Sequence, residues 1–92
     1  MKTGDDEKIK ATILYNLRRK KVIGGVHTHF DTLTRGFPIH LGKDIKKLAK
    51  ELIKQGLILT KPTSYGLQVS LNKEKIKHID ELIKKALGYE FS

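Results

Sequence analysis

The fold is decided by the stretch GKDIKKLAKELIKQG, residues 42–56. Its apolar side chains recur at intervals of three and four residues, which is the period of one face of an α-helix. These side chains are Ile45, Leu48, Ala49, Leu52 and Ile53. Glycine is common just beyond the last turn of a helix, so Gly56 is the expected end. The spacing predicts an amphipathic helix over residues 42–55.

The opposite face of this predicted helix is almost entirely lysine. Its basic residues are Lys43, Lys46, Lys47, Lys50 and Lys54. Helical spacing makes these side chains project together from the side that cannot be buried. Such a face suits a polyanion, and the alternative is a solvated lysine-rich surface that serves only solubility.

The net charge of the chain is concentrated around the same helix. The 92 residues contain 19 Lys+Arg and 10 Asp+Glu, a formal charge of +9. Residues 18–61 contain 11 basic and 3 acidic side chains, or +8, whereas residues 1–17 sum to 0 and residues 62–92 to +1. Concentration of one sign in one segment is typical of a polyanion-binding surface.

Length and composition exclude several classes of protein. A chain of 92 residues forms one small domain with little room for an enclosed substrate cleft, and it has no cysteine for a disulfide, a thiolate metal site or a nucleophile. The start MKTGDDEKIK lacks the apolar segment of a secretory signal, and no apolar run approaches the roughly 20 residues that span a bilayer. We predict a cytoplasmic protein that is neither an enzyme nor bound to a membrane. Its 16 lysines among 19 basic residues are typical of thermophile proteins.

Weaker patterns predict four further elements and an α+β fold that is mostly helical. Helical spacing of Ile and Leu recurs towards both ends of the chain, and apolar alternation predicts a hairpin between them. The predicted elements are a first helix over residues 6–21, a short second helix over 29–35, a β-hairpin over 57–71 and a fourth helix over 73–87. No repeat or linker interrupts them, so residues 1–92 are expected to form one domain.

Capping residues set the expected ends of these helices. Asp5 or Asp6 can cap the first helix, and Gly24-Gly25 can end it. Thr28 resembles the first residue of a capping box for the second helix, and Asn72 can cap the fourth.

The order helix, short helix, basic helix, hairpin and helix resembles the winged helix-turn-helix domain. The segment ELIKQGLI at residues 51–58 resembles that family's junction between the recognition helix and the first wing strand. The resemblance implies a recognition helix over 42–55, a preceding helix over 28–35 and a wing tip over 61–66. It further implies a protein that binds double-stranded DNA, with this helix in the major groove and the wing on the backbone. Such a protein would regulate transcription or organise DNA in the nucleoid.

Charge and resemblance together select the candidate DNA-binding residues. They are Lys43, Lys46, Lys47, Lys50, Lys54, Arg35, His40, Lys61, Thr63, Ser64, Tyr65, Arg18 and Arg19. Lysine supplies point charges for phosphates and few fixed base contacts, so we expect modest sequence specificity. The alternatives are that Tyr65 packs on the hairpin and that each arginine is ion-paired or faces solvent.

Three histidines raise the question of a metal. His27, His29 and His40 could be ligands, but only Asp31 or Asp44 could complete a site. Capping, packing or phosphate contact is the favoured interpretation, and we expect no cofactor.

Other partners stay open at this point. The same charge would serve RNA, and a winged helix can also act as a protein-interaction module whose lysines meet an acidic partner. The terminal helices favour a homodimer, because the tail contains Tyr89 and Phe91 and a small core has little room for them. Equally, these aromatic rings can fold back over the first helix.

Overall fold

The computed structural model describes residues 4–89, which form three α-helices and a three-stranded antiparallel sheet. The helices are α1, Gly4–Arg19; α2, Gly42–Lys54; and α3, Ile76–Leu87. The strands are β1, Thr28–His29; β2, Ile58–Thr63; and β3, Gly66–Leu71. Short 3₁₀ helices lie at Phe30–Thr34, Ile39–Leu41 and Lys73–Lys75. The predicted α+β fold with mostly helical content is confirmed.

One apolar core joins the three helices to the sheet. Its largest fully buried apolar members are Ile13, Leu14, Ile45, Leu52, Ile58, Val69, Leu71, Ile79 and Ile83. Burial of a side chain of this size contributes about 2 kcal/mol, so each helix is held to the core by its apolar stripe. None of the helices within residues 4–89 is long and apolar enough to cross a bilayer.

The C-terminal end of α1 lies before the predicted glycine pair. The helix ends at Arg19, and Lys21 takes a left-handed conformation with φ of 60°. The N–H of Val22 donates to the carbonyl oxygen of Leu17 at 3.0 Å, which is the hydrogen bond of a Schellman ending. Gly24-Gly25 therefore follows the end of the helix instead of forming it.

The predicted caps have different outcomes. Asp5 and Asp6 lie inside α1, because its helical backbone already includes Gly4, so the prediction that either caps the helix was wrong. The prediction for Asn72 is confirmed in part: its side-chain oxygen accepts a hydrogen bond from the N–H of Glu74 at 3.0 Å and caps the 3₁₀ helix Lys73–Lys75, whereas α3 itself follows at Ile76 without a side-chain cap.

The segment before α2 departs most from the prediction of a short second α-helix. Thr28 and His29 instead form strand β1, where Thr28 lies opposite Val69 of β3. The 3₁₀ helix Phe30–Thr34 follows, and the Nδ1 of His29 caps it by accepting the N–H of Asp31 at 3.2 Å. Five residues are too few for a cooperative α-helix, whereas a 3₁₀ turn needs only i to i+3 hydrogen bonds. The predicted capping box on Thr28 was therefore wrong.

Helix α2 closely follows its predicted boundaries. It begins at Gly42, directly after the 3₁₀ helix Ile39–Leu41, and ends at Lys54. Gly56 takes φ of 80°, and the N–H of Leu57 donates to the carbonyl oxygen of Leu52 at 3.1 Å. This left-handed glycine is the predicted stop.

The hairpin lies where it was predicted, but its turn is tighter than the predicted tip over residues 61–66. β2 and β3 pair up to a two-residue turn, Ser64-Tyr65, so most of the predicted loop is strand. Pro62 is tolerated because β2 is an edge of the sheet, whose order is β1-β3-β2. Gly66 has φ of 116°, and a Cβ there would lie 2.7 Å from the Nε2 of His29. The turn therefore requires glycine for both its conformation and its closeness to β1.

The end of the described chain folds back on α1. The ring of Tyr89 stacks on Tyr15, with 4.7 Å between centroids and 23° between planes. This is the second of the two alternatives for the tail aromatics, at least for Tyr89; Phe91 lies outside the described residues. The homodimer through terminal helices stays a prediction.

Candidate nucleic-acid interface

The exposed side of α2 presents all five predicted lysines. The buried side chains of Ile45, Leu48, Ala49 and Leu52 face the core and orient the opposite side outwards. The exposed lysines are Lys43, Lys46, Lys47, Lys50 and Lys54. Their common orientation is thus a direct consequence of the apolar stripe.

These five lysines differ in their contacts. The Nζ of Lys46 lies 3.4 Å from Oδ1 of Asp31, on the 3₁₀ helix next to α2. Within residues 4–89, the other four form neither an ion pair nor a side-chain hydrogen bond; they are Lys43, Lys47, Lys50 and Lys54. We call these four residues the lysine face. An anion that approaches the lysine face meets ammonium groups that need not first break a contact within the protein.

One acidic residue of α2, Glu51, borders the lysine face, and it is compensated from α1. The Nζ of Lys10 lies 2.8 Å from Oε1 of Glu51. This hydrogen-bonded ammonium lowers the pKa of Glu51, and the charges of Lys47 and Lys54 lower it further. Helix α1 thus supplies the cation that compensates Glu51, which would otherwise offset the charge of Lys47 and Lys54; the other acid of α2, Asp44, lies in the first turn.

The N-terminal end of α2 adds a residue that sequence analysis missed. Ile39 is 97% exposed, and His40 and Arg35 are exposed beside it along the chain. Ile39 precedes Lys43 by four positions, the spacing that brings side chains to one side of a helical segment. No sequence pattern could identify it, because an isoleucine next to a proline is as consistent with burial.

The hairpin tip presents a second exposed group. Tyr65 is 86% exposed, and Lys61 and Ser64 are exposed with it. The hydroxyl of Thr63 is used within the turn, since it donates to the carbonyl oxygen of Gly66 at 2.8 Å and accepts the N–H of Tyr65 at 3.2 Å. Thr63 thus holds the turn, while the ring of Tyr65 is not packed on the hairpin.

His29 connects the tip of the hairpin to the segment before α2. Its Nδ1 accepts the N–H of Asp31, and its Nε2 lies 3.3 Å from the carbonyl oxygen of Tyr65. The uncharged ring with its hydrogen on Nε2 satisfies both contacts, because Nδ1 accepts while Nε2 donates. Asp31 in turn contacts Lys46. A chain of contacts therefore links the hairpin turn to α2.

The two arginines at the end of α1 have partners inside the protein. Arg18 donates from Nε to Oδ1 of Asp80 at 2.9 Å and from Nη2 to Oδ2 at 3.3 Å. Both side chains are less than a quarter exposed, so this bidentate pair ties α1 to α3. The guanidinium of Arg19 lies 5.8 Å from the ring centroid of Tyr15. Arg18 is thus ion-paired, which is one of the two alternatives that the sequence left open for each arginine.

The histidines do not gather into a metal site. No group of three or more His, Cys, Asp or Glu side chains in the described part of the chain could hold a metal ion. His29 instead caps a 3₁₀ helix and contacts the hairpin turn.

Comparison of the chain with protein-family models, with curated proteins and with solved structures gives no match.

Proposed function

We propose that this protein binds double-stranded DNA as a winged-helix protein, with α2 in the major groove and the hairpin on the flanking backbone. The main support is the lysine face, a set of four exposed ammonium groups without ion-pair partners within residues 4–89. Neutralising phosphates with such groups releases counterions, which supplies most of non-specific affinity for DNA.

The dimensions of α2 support the major groove as its site. Lys43 and Lys54 are eleven residues apart, which is about 16 Å along a helix axis. The major groove of B-DNA is about 12 Å wide and admits one α-helix. Lysines on the outer side of such a helix can reach the phosphates of both strands through their long side chains.

The order of elements around α2 supports the winged-helix interpretation. A short helical segment at residues 30–34 precedes α2, and a hairpin with an exposed tip follows it. β1 completes the sheet on the other side of β3, and His29 joins that strand to the hairpin turn. The hairpin is thus held against the segment before α2, where a wing could contact the backbone beside the groove.

The chemistry of the interface favours modest sequence specificity. Lysine holds a phosphate without fixing a base, and bidentate base contacts come mainly from Arg, Asn and Gln. Ile39 offers one apolar contact at the start of α2, suited to the methyl group of thymine. The proposed role is accordingly transcriptional regulation or DNA organisation, with the protein on the nucleoid.

The test is fluorescence anisotropy of labelled duplex DNA and duplex RNA of equal length at several salt concentrations. We expect DNA to bind more tightly, because the narrow major groove of A-form RNA does not admit a helix. The Lys50→Gln variant should flatten the slope of log K against log salt by about 0.9. Lys77→Gln, an exposed lysine of α3, is the matched control and should leave the slope unchanged.

Other outcomes would replace the proposal. Tighter binding to RNA would favour an RNA-binding protein. Absence of DNA binding at low salt, or equal effects of Lys50→Gln and Lys77→Gln, would remove α2 from the interface and favour an acidic protein partner.

A further inference from the structure

A groove of about 670 Å³ lies between α1 and α3, away from the lysine face. Its floor is apolar and consists of residues from α1, α2, α3 and the segment between α2 and β2. The floor residues are Ala11, Leu14, Leu52, Leu57, Leu82 and Ala86. A volume of this size is within the range of small-molecule sites, which combine an apolar lining with a few polar groups.

The rim of the groove is cationic. Its cations are Lys8, Lys10, Lys75 and Lys85; His78 also lies on the rim, with Nδ1 3.9 Å from Oε1 of Glu81, and Glu7 is the one carboxylate among the lining residues described. Lys10 is the most enclosed of the four rim lysines, with 13% of its side chain exposed. Its Nζ lies 2.8 Å from Oε1 of Glu51 and 3.9 Å from Oε2 of Glu7. Within residues 4–89, no acidic side chain pairs with the other rim lysines. Charge complementarity therefore favours an anion.

We propose that this groove binds a small amphipathic organic anion, with an aliphatic or aromatic body on the floor and one carboxylate among the rim lysines. The apolar floor contacts the aliphatic or aromatic body of this anion, and the rim lysines bind its carboxylate. A second copy of this chain fits less well, because symmetric pairing through this groove would bring the same lysines together.

The groove also contacts α2, the proposed DNA-binding helix, on the side opposite the lysine face. Leu52 of α2 and Gln55, the residue after that helix, line it, and Lys10 on its rim is the ion-pair partner of Glu51. A carboxylate that takes Lys10 leaves Glu51 beside Lys47 and Lys54, where its negative charge weakens attraction to phosphates. This coupling depends on the proposed function, whereas binding of the anion does not.

The binding test is a titration of the full chain, without DNA, followed by ¹⁵N–¹H NMR. The probes are decanoate, its uncharged counterpart decanol, and acetate, which has the charge without the apolar body. We expect saturable shifts from decanoate at the amides of Ala11, Leu14, Leu52 and Leu82. Decanol should bind about tenfold more weakly, because it lacks the charge-assisted contact, and acetate should give no saturable shifts.

Variants test the rim directly. Lys85→Gln should weaken decanoate about fivefold to tenfold, since it removes one cation without breaking an ion pair of the described residues. Lys10→Gln should weaken it at least as much, and Lys77→Gln, on the same helix as Lys85, should have no effect. Equal affinities for decanoate and decanol, or shifts spread outside the groove, would overturn the proposal.

Coupling is measured separately on DNA. Saturating decanoate should weaken DNA affinity about fivefold relative to the same concentration of acetate, and DNA should weaken decanoate by the same factor. If the protein fails to bind DNA while the NMR titration behaves as expected, the proposed function fails and the anion site stands. If decanoate binds and DNA affinity is unchanged, the coupling through Glu51 is wrong.

Discussion

Helices α2 and α3 are both amphipathic and of similar length, 13 and 12 residues, yet their outer faces differ in charge. On α3 the lysines are interspersed with Asp80 and Glu81. On α2 five lysines outnumber two acids, Asp44 in the first turn and Glu51, which pairs with Lys10. The comparison teaches that the number of lysines does not define a polyanion-binding surface. What defines it is where the acids lie and which cations they engage.

The largest expected effect follows from exchanging lysines on the two helices. Replacing the lysine face (Lys43, Lys47, Lys50 and Lys54) by glutamine should lower DNA affinity at 0.1 M salt by a factor on the order of several thousand, because each of four phosphate contacts is worth nearly tenfold there. The charge-matched control replaces Lys77 and Lys85 of α3 together with Lys73 and Lys75 of the preceding 3₁₀ helix, and should cost far less. Anisotropy titrations measure both, and equal losses would mean that only net charge matters.

The buried sides of the two helices should behave alike. Ile45→Ala in α2 and Ile79→Ala in α3 each empty a fully buried position, so each should lower the free energy of unfolding by about 3 kcal/mol. Urea denaturation measures both, and Lys50→Ala serves as the exposed control, with a change within about 0.5 kcal/mol. A loss below about 1 kcal/mol at either isoleucine would contradict the core described above.

A smaller effect separates Arg18, which is ion-paired within the protein, from Arg35, a proposed DNA contact. Arg18→Gln breaks the pair that ties α1 to α3 and should destabilise the protein by about 1.5 kcal/mol, with little change in DNA affinity. Arg35→Gln, at an exposed position beside the proposed interface, should instead lower DNA affinity with little change in stability. Thermal unfolding and anisotropy distinguish them. A loss of DNA affinity in a folded Arg18→Gln variant would place α1 in the interface.

The smallest expected effect is on the pH dependence of thermal unfolding, through Glu51 of α2. Because Lys10 lowers the pKa of Glu51 in the folded protein, the pair stabilises the fold above pH 4.5, the ordinary pKa of a glutamate side chain. That contribution is lost as the pH falls below 4.5 through the lowered pKa. The midpoint of thermal unfolding should therefore fall more between pH 5 and acidic pH for the wild type than for Glu51→Gln. Parallel curves would show that the pair contributes nothing.

Sequence patterns predicted the elements that have strong local signals. The boundaries of α2, the stop at Gly56 and the cap at Asn72 follow from spacing and capping within a few residues. Strand β1 could not be predicted, because Thr28 and His29 are recruited by β3, some forty residues later in the chain. The left-handed conformation of Lys21, which follows the end of α1 at Arg19, also escaped prediction, because lysine rarely adopts positive φ.

The candidate site was predictable in outline but not in its pairings. Helical spacing places the lysines on one side, whereas the Arg18–Asp80 pair joins residues 62 positions apart. The contacts of Lys46 with Asp31, and of Lys10 with Glu51, depend in the same way on how elements pack. Periodicity gives the face of a helix, and only tertiary structure decides which of its charges are already engaged.

The most direct test of the central claim is an NMR titration of the full chain with a short mixed-sequence DNA duplex. If the lysine face binds DNA, amide shifts should concentrate on α2, on the 3₁₀ helix Ile39–Leu41 before it and at the hairpin tip around Tyr65. Shifts along the exposed side of α3, including Lys77, should be small. Shifts that favour α3, or that are absent from α2 at low salt, would contradict the claim that the lysine face binds DNA.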